Sequence, residues 1–198
     1  MKIFIGGAWP YANGSLHIGH LSSLLGGDIL ARYHRLKGDT VCYVSGSDCH
    51  GTPITIRAKK EGIVPSVITN RYHLEFEDSF KRLGFTYDSY GRTDSESHKS
   101  FVQEFFKTLK ARENLYEREI EQAFCNKCSQ FLPDRFVVGK CPNCGQDAKG
   151  DQCDHCGSLL DPIQLNERKC GICGSEPVFK LSRHLFIPLS KFEPAIVE

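Results

Sequence analysis

The chain has 198 residues, 40% hydrophobic and 25% charged, an ordinary globular composition with enough apolar material for a core. Its 25 Lys and Arg stand against 24 Asp and Glu, a formal charge of +1, so no bulk basic field advertises nucleic acid or an anionic membrane. The longest apolar runs, 41–44 and 185–189, fall far short of the roughly 20 residues of a membrane span, and the N-terminus runs into Gly and Pro instead of an export signal; the expectation is a soluble, cytoplasmic protein without a membrane partner.

Residues 2–6 are rich in Ile and Phe and predict a short buried strand, which the Gly- and Pro-containing stretch 6–14 breaks. From Leu16 onward, apolar residues recur at Ile18, Leu21, Leu25, Ile29, Tyr33 and Leu36, the repeat of an amphipathic helix of about five turns, with Gly38 as its stop. The β-branched and aromatic run 40–45 predicts a second strand and completes a βαβ unit. Pro53 opens a short helix that Gly62 ends, and 66–83 forms another with Val67, Tyr72, Phe76, Phe80 and Leu83 on one face. A third strand is expected at 85–90. A helix follows at 95–112 with Phe101, Phe105 and Leu109 inside, so the fold class is α/β with a parallel, helix-covered sheet. Periodicity then gives way to Gly, Pro, Asn, Asp and Cys from 122 to 178, a small inserted module. Apolar structure resumes at 186–189, and Ser190 with Glu193 has the spacing of a capping box before Pro194.

His17 and His20, three apart at the start of the first helix, place both imidazoles on one side, close to unpaired backbone N–H groups and the positive end of the helix dipole. That is a place for phosphate: two imidazoles can donate to triphosphate oxygens and follow the charge that develops when the α-phosphorus is attacked. Gly19 between them allows a base or ribose to come close to the backbone. The position, after a strand and a Gly-rich loop in a βαβ unit, is where α/β folds bind ligands.

Residues 10–20, ending His-Ile-Gly-His, resemble the signature of class I aminoacyl-tRNA synthetases, and the fuller stretch from Ala8 resembles the methionyl-tRNA synthetase family in particular. Residues 46–53, Gly-Ser-Asp-Cys-His-Gly-Thr-Pro, are similar to that family's second-strand motif, and 131–137, Phe-Leu-Pro-Asp-Arg-Phe-Val, to another of its hallmarks. The resemblance implies a Rossmann-like nucleotide-binding half-domain in which His17 and His20 stabilise the adenylation transition state. ATP, with Mg2+, would be bound by Tyr11, Asn13, Gly14, His17, Gly19 and His20. It further implies that methionine is held by Ala8, Trp9, Tyr11 and Asp48, with the Asp48 carboxylate on the ammonium; Trp9 stands where many members of the family have Leu.

Eight of the ten cysteines form four Cys-x-x-Cys pairs, Cys125/Cys128, Cys141/Cys144, Cys153/Cys156 and Cys170/Cys173, which in a reducing compartment point to zinc and not to disulfides. The count predicts two tetrathiolate Zn2+ sites. The inner two pairs, eight residues apart, would share one ion and the outer two the other, with a sequential arrangement as the alternative. Four protein ligands per ion leave no open position, so the metal would be structural. Between 122 and 178, six Lys and Arg meet seven Asp and Glu, and eight thiolates around two Zn2+ add four negatives, so the module is a poor phosphate-binding patch. His155 reads as a solvent-facing loop residue, Cys42 as a small core residue, and Cys49 beside His50 as a neighbour pair without nucleophilic purpose.

The expected organisation is 1–121 as the N-terminal half of a class I catalytic domain, 122–178 as the zinc insertion and 179–198 as the return to the catalytic domain. Methionine occurs only at position 1, so the family's second signature, Lys-Met-Ser-Lys-Ser, does not occur in this sequence. The resemblance thus implies methionine activation with ATP and transfer to tRNA(Met). It implies too that these residues alone are inactive and that a C-terminal fragment would complete the fold. A cysteine or leucine synthetase fits the 131–137 segment and the paired knuckles less well. The alternative of another class is a non-catalytic nucleotide-fold and zinc module that binds a protein or nucleic acid.

Overall fold

The structure is a computed structural model and describes residues 1–197. The chain divides into two compact units, Met1–Phe105 and Phe106–Glu198. The first unit is built on three parallel strands in the order β1-β2-β3: β1 (Lys2–Gly6), β2 (Thr40–Ser47) and β3 (Ser89–Arg92). Helix α1 (Ile18–Leu36) crosses from β1 to β2, and α2 (Thr52–Glu61) with α3 (Pro65–Arg82) crosses from β2 to β3. Gly62 ends α2 in the left-handed conformation, φ 67°, which only glycine takes without strain. The core joins Ala12, Leu24, Ile54, Ala58, Ile68, Tyr72, Phe76 and Phe80, with Phe85, Tyr87 and Tyr90 packed against it.

The elements follow the sequence pattern more closely than their buried faces do. Helix α1 buries Leu24, Asp28 and Ala31, while the apolar repeat at Ile18, Leu25, Ile29, Tyr33 and Leu36 is exposed. At Gly27 the helix comes close to the sheet: a Cβ there would stand 2.9 Å from the Tyr43 hydroxyl, so this position of α1 has no room for a side chain. Beside it the Asp28 carboxylate, otherwise costly to bury, accepts from Arg32 Nε (2.6 Å), Thr86 N (2.6 Å) and Thr86 Oγ1 (2.7 Å). On α3 the buried stripe is Ile68, Tyr72, Phe76 and Phe80 with Thr69 and His73, an i, i+4 row that leaves Val67 and Leu83 on the exposed side.

Strand β3 begins at Ser89 and not at Phe85, because the N–H groups before it are used elsewhere. Phe85 N donates to Phe80 O (2.9 Å), Thr86 N to Asp28, and Asp88 N to Tyr43 O (2.7 Å), while Tyr87 packs on Tyr43 and Phe80. Cys42 is exposed, not core: it pairs in register with Phe4, itself 73% exposed. Helix α4 (Glu96–Ala111), which runs across the division between the units, buries none of its side chains; Phe101 and Phe105 stack on each other at 6.3 Å and are exposed, and Leu109 is half-buried.

The second unit comprises β4 (Tyr116–Cys125), β5 (Gln130–Phe131), β6 (Val137–Lys140), β7 (Asp147–Lys149), β8 (Asn166–Cys170) and β9 (Val178–Phe186). Strands β4 and β9 form an antiparallel ribbon from Tyr116↔Phe186 to Phe124↔Val178, so the Cys-rich stretch enters and leaves through paired strands. Inside it, β7, β6 and β8 make a second small antiparallel sheet. Ser190 does not cap a helix: it lies within a 3₁₀ turn, Leu189–Lys191, and the short α5 (Glu193–Val197) starts at the residue before Pro194, where a proline is tolerated.

Candidate active site and metal centres

The carboxyl end of β2 carries Asp48 into the gap between two neighbouring segments. On one side the loop after β1 continues the parallel pairing, with Asp48 N donating to Pro10 O and Ala12 N to Asp48 O, both at 2.9 Å, in a bridge between Tyr11 and Asp48. On the other side Thr93, just past β3, donates from its N–H to Ser47 O (3.2 Å). Asp48 is half-buried, and its Oδ1 accepts from His50 N (3.0 Å) and from Thr93 Oγ1 (3.5 Å). Ala8 and Tyr11 are exposed at the same rim, Ala8 O accepting from Ser45 Oγ (2.8 Å). The Trp9 indole lies on the register-paired Gly46 and Gly91: a Cβ at Gly46 would collide with it and with the Gly91 carbonyl at 2.6 Å, whereas one at Gly91 would just touch it at 3.5 Å. These strand glycines are the reason an indole fits on the backbone there.

His17 is the N-cap of α1 and His20 its third residue. The His17 Nδ1 accepts from Gly19 N (3.1 Å), and the His20 Nδ1 accepts from His17 N (3.2 Å), a reciprocal capping box made by two imidazoles. Their rings lie 3.9 Å apart between centroids. A Cβ on Gly19 would press within 3.0 Å of the His17 ring, so the glycine preserves the cap as well as open space above it. With both Nδ1 atoms accepting, the Nε2 atom of each ring is left as a donor at a helix N-terminus. Partial burial, and then the neighbouring His17, hold the His20 pKa below the usual imidazole value.

The loop between these two features is braced from α2. Arg57 donates from Nη1 to Asn13 O (2.6 Å) and from Nε to Glu61 (2.7 Å), lies over the Tyr72 ring at 4.8 Å, and stands 3.6 Å from where a Cβ on Gly14 would be. Behind Asp48, the fully buried Ser47 hydroxyl meets His73 Nδ1 (2.9 Å) and the Tyr90 hydroxyl (3.2 Å). Burial dominates in keeping His73 below the usual imidazole value. Cys49 is buried, its thiol raised to about 11 by desolvation and then by Asp94, which is no setting for a thiolate nucleophile. Arg92 pairs with Asp94 and holds its carboxyl down to about 2.

The eight knuckle cysteines gather into two groups whose sulfurs all lie within 4.8 Å of one another: Cys125, Cys128, Cys170 and Cys173, and Cys141, Cys144, Cys153 and Cys156. This is the nested grouping and not the sequential one. Sulfur separations of 3.5 Å (Cys125–Cys173), 4.0 Å (Cys128–Cys170), 3.8 Å (Cys141–Cys156) and 3.6 Å (Cys144–Cys153) match a tetrahedron with metal–sulfur bonds of about 2.3 Å, whose edge is about 3.8 Å, so both groups fit zinc. All ten cysteines are free of disulfides. Gly145, Gly157 and Gly174 follow the second cysteine of their pairs at φ 72°, 74° and 75°; in the first knuckle Ser129 takes the same place at φ 51°. Ser175 contacts Cys125 (3.2 Å) and Cys173 (3.0 Å), and Ser158 contacts Cys156 (3.2 Å); these hydroxyls are the leading cause of the depression of Cys173 and Cys156 to about 6. His155 is exposed.

A family model described as tRNA synthetases class I (M) matches residues 3–198. The chain belongs to this family. It is 58% identical to a methionine–tRNA ligase of Bacillus cereus (strain 03BB102) over 196 residues, 99% of this chain and 36% of that protein. It is 60% identical to methionine–tRNA ligase 1 of Alkaliphilus oremlandii (strain OhILAs) over 193 residues, again 36% of the relative. The chain therefore spans about 36% of the length of these curated relatives. A crystal structure of Mycobacterium tuberculosis methionyl-tRNA synthetase bound by methionyl-adenylate aligns with a TM-score of 0.69 at 18% identity, over 100% of this chain and 34% of that one, a likeness of fold.

Within this synthetase segment, Tyr11 and Asp48 are paired through the backbone, and Asn13 and Gly14 meet Arg57. Arg57, Thr93 and the Ser47–His73–Tyr90 group escaped the sequence reading. Nothing local marks them: they touch the site only after α2, α3 and β3 have folded back onto β2.

Proposed function

We propose that the chain forms part of the catalytic domain of a methionine–tRNA ligase, which activates methionine with ATP and transfers it to tRNA(Met). The observation that carries this reading is the pairing of Asp48 with the loop that leads into the double-imidazole cap of α1. In this reading the Asp48 carboxylate holds the methionine ammonium, a charge-assisted contact worth about 1.5–3 kcal/mol. Ala8, Trp9 and Tyr11 shape the rim around the rest of the amino acid. Asn13, Gly14 and Gly19 bring backbone close to the nucleotide, and the Nε2 protons of His17 and His20 donate to oxygens of the triphosphate. Attack of the methionine carboxylate on the α-phosphorus forms methionyl-adenylate as the α–β phosphoanhydride bond breaks and pyrophosphate leaves; it adds charge at that phosphate, and donors fixed before the reaction stabilise it without reorganisation. No side chain of this site is asked to act as a nucleophile. The terminal ribose hydroxyl of the tRNA then attacks the acyl carbon of the adenylate, forming the ester as the acyl–phosphate bond breaks and AMP leaves.

The two thiolate groups would hold one structural zinc each; when bound, the ions cross-link loops that have little apolar material of their own. The reading is tested by methionine-dependent ATP–pyrophosphate exchange in the full-length chain. His17→Ala and His20→Ala should each lower kcat by about 10²–10³-fold, and metal analysis should find two zinc per chain. Residues 1–198 alone, without the pyrophosphate-neutralising Lys-Met-Ser-Lys-Ser signature, should show no exchange. Unchanged kcat in both histidine variants contradicts the reading.

A further inference from the structure

We propose that Thr93 is a positioning residue for the amino-acid substrate: its hydroxyl aims the Asp48 carboxylate at the methionine ammonium. The proposal rests on the reading of Asp48 given above and adds what fixes that carboxylate. The backbone of Asp48 is tied to Pro10 and Ala12, but a carboxylate at the end of a strand still turns about two side-chain bonds. Its two side-chain contacts both fall on Oδ1, from His50 N at 3.0 Å and from Thr93 Oγ1 at 3.5 Å; among the described residues no donor reaches Oδ2.

The direction of the Thr93 hydroxyl is itself determined. Thr93 Oγ1 accepts from Cys49 N at 2.8 Å, so its own proton must point away from that amide, and Asp48 Oδ1 is the acceptor in reach. Thr93 is held by Ser47 O on its N–H (3.2 Å), and its carbonyl faces His50 Nε2 (3.3 Å), so the hydroxyl stands on a fixed backbone. One oxygen of Asp48 is thus occupied by the protein, and the other is presented to a cation. The ligand chemistry this favours is a primary ammonium.

The test uses the full-length chain. Thr93→Val keeps the shape and removes both hydrogen bonds; the methionine KM should rise about three- to ten-fold with kcat and the ATP KM within about two-fold of the parent. Thr93→Ser should restore the parent value. In an Asp48→Asn background Thr93→Val should add nothing, because the group it aims is gone. Should Thr93→Val fail to fold, Thr93→Cys, with a weaker donor in a similar shape, should give a methionine KM between those of Thr and Asp48→Asn. A methionine KM unchanged in Thr93→Val, or an ATP KM that rises equally, overturns the proposal while leaving the role of Asp48 standing. An unchanged methionine KM in Asp48→Asn overturns that role, and the proposal with it.

Discussion

His17 and His20 close the end of a helix with two rings that cap each other's backbone turn. The Nδ1 atoms satisfy orphan N–H groups, and the cap depends on both rings being neutral. His20, through partial burial and His17, and His73, chiefly through burial, are both held below the usual imidazole value of 6.5. His73 is pulled upward by Glu77 and Asp94 and downward by Arg92, and burial outweighs them. As pH falls through 6.5 the unfolded chain therefore takes up protons that the folded chain does not. The stabilisation is complete above 6.5 and is lost as pH falls through the depressed values. The expected result is a Tm that declines from pH 6.5 toward pH 5, with a shallower decline in His73→Gln; a flat profile contradicts it. Asp94, held to about 2 by Arg92, contributes only to a separate loss at much lower pH. At this scale the Cys-x-x-Cys spacing disclosed the eight cysteines that the structure gathers into two groups. Thr93 and Arg57 depend on contacts across 45 and 44 positions of chain, and no local pattern announces those.

In the first unit the elements were legible in kind and order, and less so in which face they bury; strands β4 to β9 of the second unit were not read from the sequence. A 3.6-residue repeat reveals a helix, but α1 shows that the largest apolar stripe need not be the inner one when the sheet is approached closely. Gly26 and Gly27 make this a direct comparison. A Cβ on Gly26 meets nothing within 4 Å, whereas one on Gly27 would strike Tyr43 at 2.9–3.2 Å. Helix propensity favours Ala over Gly by about 1 kcal/mol at either position, but overpacking at Gly27 costs about 1–3 kcal/mol. Gly26→Ala should therefore stabilise by up to about 1 kcal/mol, while Gly27→Ala, with the overpacking set against the same gain, should destabilise by up to about 2 kcal/mol, in urea unfolding. Equal effects at the two positions would contradict the close approach. Strand β3 was misplaced by four residues for a related reason: aromatic, β-branched sequence at 85–88 reads as strand, yet its amides are claimed by α3, Asp28 and β2 before pairing begins. The zinc knuckles were the most legible elements, since the left-handed glycine after the second cysteine is written into three of the four.

For the molecule as a whole, the order of predicted elements pointed to the α/β class and the knuckles to a module at 122–178, whereas the structure divides the chain after Phe105. The division after Phe105 falls within α4, a helix whose amphipathic pattern gave no sign of a boundary. Among the described residues no helix is long and apolar enough to cross a membrane. Phe4, Ile29, Phe101 and Phe105 are exposed, so patterning over-predicted the core: an apolar repeat registers a face whether or not the fold buries it. The central claim is that the rim formed by residues 8–20 and Asp48 is a single site for methionine and ATP. The most direct measurement is a crystal structure of the full-length chain with methionyl-sulfamoyl-adenosine, a stable mimic of the adenylate. The account predicts the ammonium within about 3 Å of Asp48 Oδ2 and the sulfamoyl oxygens facing the Nε2 atoms of His17 and His20. An analogue bound with its ammonium away from Asp48, or with both imidazoles out of contact, would contradict it.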